Sequence, residues 1–461
     1  MNNAKDNSFL GSEPLGKLLF KLAIPTITAQ IINLLYNIVD RIYIGHMEGI
    51  GDLALTGVGV CMPLIMIISA FAALVSSGGA PRASIFMGQG DKESAERTMG
   101  TCFALQCIIS VILTAVMLVF HKPLLLAFGA SENTIKYAAD YIAIYSIGTI
   151  FVQLTLGMNA YITAQGFAKM GMLTVVIGAV ANIALDPLFI FAFVMGVRGA
   201  ALATVISQAI SCAWVISFLS GKQSILKLKK STIKLDVKLI LPCLALGLAP
   251  FIMQSSESVI SVCFNSSLLE YGGDIAVGAM TVLTSVMQFA MLPLQGLAQG
   301  AQPIISYNYG ARNKDRVKSI FKLLLACSLI YSMIVWAAVM IFPQGFAALF
   351  TNKAELLGFT ASALRIYCAV LGIFGIQIAC QMTFVSLGKA LSSMAVAIMR
   401  KFVLLLPLIY IVPSFFDAGM KTTGVYLAEP IADTIAVTFT AILFAFQFKK
   451  ALRGIDNITT E

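Results

Sequence analysis

Asp40 closes the run Tyr36-Asn37-Ile38-Val39-Asp40 inside a stretch otherwise rich in Ile, Leu and Ala, and Asn182 and Asp186 interrupt a second such stretch four residues apart. Four residues is about one helical turn, so that amide and that carboxyl share a face. Thr204 lies just inside a third apolar stretch. At 1.5 Å per residue, Asp186 is about 12 Å from the far end of its stretch, and Asp40 and Thr204 are each roughly 6 Å from theirs. Two carboxylates, an amide and a hydroxyl at similar depth can meet in one bundle as an all-oxygen set. Pro187 frees the Ile183 carbonyl, which adds another oxygen and a possible bend. Such a set suits Na⁺, or a proton shared between acids. Two readings stay open: a cation site, or a hydrogen-bond network that only ties helices together. The other half of the chain has its own acids, Glu257 and the pair Glu429 and Asp433, again four apart and with Pro430 between them. They could face a substrate cleft and bind a cationic substrate or a second ion, or they could partner Arg365 or Arg400.

These groups matter because of their surroundings. The chain has 461 residues, of which 59% are hydrophobic and 11% charged, with a mean hydropathy of +0.89. Ordinary soluble domains carry about a quarter charged residues. No polar stretch is long enough for a soluble domain. Crossing about 30 Å of hydrocarbon takes roughly 20 apolar residues. Such runs fall near 18–42, 53–77, 98–120, 138–160, 172–194, 200–219, 239–264, 275–298, 320–342, 361–384, 392–415 and 424–448. Lipid offers the backbone no hydrogen bonds and no alternating strand pattern is visible, so these runs predict twelve helices. An ionisable side chain inside a span is costly and therefore a functional candidate. The first apolar run is too long for a signal sequence and lacks a cleavage site, so no leader is expected to be removed.

The formal charge of +9 is distributed by side rather than along a nucleic-acid face. With a cytoplasmic N-terminus, six of the 31 Lys and Arg fall on the outer side, Arg41, Lys122, Lys136, Arg198, Lys353 and Lys421, and Arg365 falls inside the tenth span. The rest lie on or near the inner side, densest in Lys222–Lys238, which places both termini in the cytoplasm of a bacterial inner membrane. Arg400 and Lys401, about eight residues into the eleventh span, must face the protein interior or reach the interface. The nine cysteines sit in apolar runs without framework spacing and read as small core residues. Two histidines exclude a histidine-rich metal site, and with no GxSxG-type nucleophile motif the chain does not read as an enzyme.

One constant offset in numbering superimposes one half on the other: Pro81 on Pro303, Ser84 on Ser306, Gly88 on Gly310, Phe128 on Phe350, Tyr145 on Tyr367 and Gly166 on Gly388. With small shifts Pro187 meets Pro407 and Gly199 meets Gly424. The expected architecture is an all-α membrane protein of two six-helix bundles around a central cleft: a lobe 1–220, a basic linker 221–238 and a lobe 239–461. Parallel repeats with six spans each fit a rocking transporter. The counterparts of Asp40, Asp186 and Thr204 are Asn265, Leu406 and Glu429, so the acidic pair belongs to the first lobe alone.

On Asp40, on the run Asn182-Ile183-Ala184-Leu185-Asp186-Pro187-Leu188-Phe189-Ile190-Phe191 and on Gly196-Val197-Arg198-Gly199-Ala200-Ala201, the chain resembles the multidrug and toxic compound extrusion (MATE) family, in its bacterial DinF-like branch. The likeness covers all twelve spans. It implies efflux of amphipathic, often cationic small molecules in exchange for H⁺ or Na⁺, with no other cofactor, and a first-lobe cation site at Asp40, Asn182, Asp186 and Thr204. It also implies that Asn33, Tyr36, Tyr141 and Asn159 line that lobe. Another branch of the family uses a Glu of span seven, matched by Glu257, together with an Asp of span ten that is missing here. The expected partners are small molecules and the bilayer, with no nucleic acid, and the expected state is a monomer. A lipid-linked precursor flippase of the same superfamily is the alternative; the intramembrane acids outnumber the bases, which favours the exporter.

Overall fold

The computed structural model describes residues 8–351 and 353–457. Among the described residues, nine helices are long and apolar enough to cross a membrane, and two bent helix pairs raise the number to eleven. The twelfth comes from Val237–Gly310, 74 residues that would run about 110 Å if straight. Gly273 breaks it with φ 62° and ψ −160°, a conformation that glycine adopts without penalty. In chain order the spans are α1 (Leu15–Gly45), α2 (Gly51–Gly88), α3 (Lys92–Ala127), α4 (Ile135–Ile147 and Thr149–Ala164, bent by 57°), α5 (Ala168–Ala192), α6 (Val197–Ser220), α7 (237–272), α8 (274–310), α9 (Lys314–Ile341), α10 (Ala354–Tyr367 and Leu371–Ser386, bent by 45°), α11 (Ala390–Phe415) and α12 (Lys421–Asn457). Each apolar run read from the sequence lies in one of them, within two residues at its ends. Most helices run on past their apolar core into polar sequence, because hydropathy marks the lipid-facing length and not the end of hydrogen bonding.

The duplication reaches individual hydrogen bonds. Ser84 donates to the Ala164 carbonyl and Ser306 to the Ser386 carbonyl, both at 2.9 Å, with donor and acceptor each at equivalent positions of the repeat. Asp91 caps α3 by accepting from the Ser94 N–H, and Asn313 caps α9 by accepting from the Arg316 N–H. The same local bonds thus recur at equivalent places in each bundle.

The two halves meet at one end and part at the other. Take as the basic end the one that carries the segment between α6 and α7. There the buried clusters draw on both halves: Leu18, Leu22 and Ala23 pack with Ala301, Ile304 and Leu324, and Val75 and Met99 pack with Cys243. At the far end each half has a core of its own, one built within residues 44–201 and one within 260–437. The close approach at the basic end depends on bare backbone. A Cβ on Gly88 would lie 2.0 Å from the Tyr307 carbonyl oxygen, and one on Gly310 would lie 2.0 Å from that of Ile85. Gly78 and Gly300, another pair of repeat counterparts, give the same freedom where α2 meets α7 and α8 meets α1. Between the separated far ends lies a cavity of about 630 Å³, lined by Arg41, Met62, Ser261, Asn265 and Thr281 among others.

Candidate functional site

In the first half the acids converge. Asp40 comes from the last turns of α1 and Asp186 from the end of α5; they are 6% and 0% exposed, and their carboxyls lie within hydrogen-bond reach of each other. Asn182, one turn before Asp186, donates from Nδ2 to Asp186 Oδ1 at 3.2 Å. After Pro187 the helix widens into a π turn, Leu188–Ala192, a local departure that recurs at functional sites. Tyr141 packs beside Asp40, and its ring stacks on that of Tyr145, 6.2 Å away. Tyr36, one turn before Asp40, is half-buried beside it. Among the described residues, Asp40 Oδ1, Asp186 Oδ2 and Asn182 Oδ1 are buried oxygens that receive no hydrogen bond. Other buried oxygens, such as those of Asn159 and Gln381, also lack a hydrogen bond; here the acids Asp40 and Asp186 and the amide of Asn182 bring theirs together in one lobe.

Other expected members stand elsewhere. Thr204 donates to the Ala200 carbonyl at 3.0 Å and approaches the site through Tyr141 rather than through the acids. Asn33 is exposed, two turns below Asp40 on the same face. Asn159, partly buried in the first lobe, lies far from the acids. Its Nδ2 donates to the Gly171 carbonyl, roughly 22 Å along α5 from Asp186. Its repeat counterpart Gln381 donates to the carbonyl of Ser393, which is in turn the counterpart of Gly171. The same amide-to-carbonyl bond thus recurs at equivalent positions of the two lobes. Tyr145 was missed as a member of the site; its position four residues after Tyr141 was the available signal.

The second half has solved the same electrostatic problem with its own cations. Arg400 Nε donates to Asp433 Oδ1 at 2.6 Å and Nη2 donates to Glu429 Oε1 at 2.9 Å, with the guanidinium 4.8 Å from the Phe374 ring centroid. Lys401 Nζ donates to Glu257 Oε1 at 2.7 Å. Both cations sit on a second π turn, Met399–Leu405, which turns two consecutive side chains into the bundle. Glu429 and Asp433, expected to line a substrate cleft, are each 5% exposed and paired with Arg400 instead. Glu257 keeps 54% of its side chain open, and it lies one turn before Ser261 of the cavity between the halves. Arg365 takes no part and donates to the Met340 carbonyl. The two lobes therefore differ in kind. Among the described residues, the first-lobe carboxyls have no ion-pair partner, although Arg41 follows Asp40 in the chain, and the second lobe holds three carboxylates against two tethered cations.

A model of the MatE family matches the chain twice, over residues 25–188 and 249–411. The multidrug export protein MepA of Staphylococcus haemolyticus is 23% identical over 436 residues, 95% of this chain and 94% of that protein. An FAD transporter of Shewanella oneidensis is 25% identical over 445 residues, 94% of each. Among solved structures, a MATE in complex with MaD3S superimposes with a TM-score of 0.89 at 24% identity, covering 97% of this chain and 99% of that one. An outward-facing multidrug resistance MATE family transporter superimposes equally well, covering 97% and 98%.

Proposed function

This chain belongs to the MatE family, and from that membership we propose that it exports amphipathic small molecules in exchange for H⁺ or Na⁺ bound in the first lobe. One observation carries the assignment of the coupling site. Asp40, Asp186 and Asn182 bring together buried oxygens that lack a partner, whereas the acids of the second lobe already have theirs. A mobile ion has work to do in the first lobe only. The substrate enters the cavity between the halves; Glu257, paired with Lys401, lies one turn before Ser261 of its wall and is not itself part of the lining. The names of the MepA relatives support a range of drugs as cargo. Cells carrying the protein should accumulate less ethidium than cells without it, and reversing or collapsing the driving gradient should abolish the difference. Comparing H⁺ with Na⁺ gradients identifies the ion; export that ignores both would refute the antiport.

A second reading has its own support. Arg41 is the charged residue lining the cavity between the halves, and one relative is named an FAD transporter. An anionic dinucleotide is thus the competing cargo, and efflux of FAD from loaded proteoliposomes separates it from a cationic dye.

The orientation belongs to the same proposal: the basic end faces the cytoplasm, so the cavity between the halves opens outward. Single cysteines replacing Glu132 and Asp274, both exposed, should react with an impermeant thiol reagent added to whole cells. One replacing the exposed Lys222 should react only after the membrane is opened. The opposite labelling pattern would invert the topology.

A further inference from the structure

A cavity of about 1240 Å³ opens at the basic end, where the segment between the halves crosses the start of α3 and enters α7. Five of its lining residues are cations and three are carboxylates. Two of those carboxylates are engaged inside the wall. Glu96 accepts from Lys229 Nζ and from the Lys227 N–H, and Asp236 accepts from Arg97 Nη2 at 2.9 Å while capping α7. Lys92 also reaches Glu96, at 4.0 Å, and Glu93 is the third carboxylate of the lining; Lys234 and Lys238 remain, and among the described residues neither ammonium has an ion-pair partner. The same wall is greasy. Leu235 and Val237 line it with 53% and 63% of their surface exposed, and Leu241, one turn further along α7, is 62% exposed.

A soluble anion would use the lysines and gain nothing from the aliphatic stripe. We propose that this cavity binds an anionic phospholipid, its phosphodiester held by Lys234 and Lys238 and its first acyl carbons lying along Val237 and Leu241. On the orientation argued above, these residues lie at the cytoplasmic leaflet, where basic pockets and anionic headgroups attract one another. The site has one wall from α3 of the first half and one from α7 of the second. The lipid's own contacts are all on the segment between the halves and on α7, facing the start of α3 across the cavity.

The test is native mass spectrometry of the full-length protein titrated with phosphatidylglycerol, with phosphatidylethanolamine and with glycerol phosphate, which requires no assumption about transport or orientation. Phosphatidylglycerol should bind in preference to the other two. Lys234→Gln/Lys238→Gln should weaken it by roughly 25-fold, at about five-fold for each basic residue near an anionic headgroup. Lys234→Arg/Lys238→Arg should retain binding, which separates lost charge from misfolding. Lys222→Gln, outside the cavity, should bind like the parent. Equal retention of phosphatidylethanolamine, equal binding of glycerol phosphate, or a Gln pair that binds phosphatidylglycerol like the parent would each overturn the proposal.

Discussion

Replacing Asp186 with asparagine is expected to reduce drug export to the level of cells lacking the protein, with expression unchanged. The substitution keeps the shape of the side chain, and Asn182 can still hydrogen-bond it. What disappears is one of the two charges that must take up and release the coupling ion. Asp40→Asn should behave alike, because the two carboxyls face each other as a unit. The pair also sets a sign for pH. A proton joining the carboxyls removes the negative charge that favours a cationic substrate in the same molecule, so each ligand must weaken the other. Binding of a cationic dye to the purified protein should therefore weaken as pH falls, and Asp40→Asn/Asp186→Asn should lose most of that dependence. Silent Asp186→Asn together with an inactive Glu257→Gln would move the coupling site to the second lobe.

The second large effect is on stability. Arg400→Met leaves Glu429 and Asp433 buried, one turn apart and without their cation. Removing one partner of a buried ion pair costs about 3–5 kcal/mol, because the remaining charge stays desolvated. The single variant should be recovered in poor yield and unfold at a markedly lower temperature in detergent. The neutral triple Arg400→Met/Glu429→Gln/Asp433→Asn removes all three charges together and should regain most of that loss. If the cluster is scaffold, the triple variant also transports within a few-fold of the parent. A triple variant that is stable yet inactive would show that the second lobe takes part in the cycle.

Much of this was legible in the sequence, for definite reasons. Spans are visible because lipid enforces both length and apolarity, and the repeat is visible because Gly88 and Gly310, or Ser84 and Ser306, answer to the same local geometry twice. The first-lobe acids are visible because Asn182 and Asp186 share a helix face and Asp40 stands alone in lipid. The bends in α4 and α10 left no trace, since hydropathy measures composition and not direction. Nor could spacing pair Lys401 with Glu257 across 144 residues of chain. Two buried charges from distant spans announce that each needs a partner without saying which. Nor could spacing alone join Asn159 to the Gly171 carbonyl, or its repeat counterpart Gln381 to that of Ser393.

The glycine crossings at the basic end bear on how fast the halves can part. Interlocked side chains must climb out of one another's sockets before two helices pivot, and every such step is a barrier. Where Gly88 faces Tyr307 and Gly310 faces Ile85, the touching surfaces are main chain, smooth on the scale of a methyl group. Beside them, side chains of both halves still interlock, among them Leu22 with Ile304 and Met99 with Cys243. In the rocking motion proposed for this transporter, these bare crossings are where the halves can pivot with the fewest side chains to move.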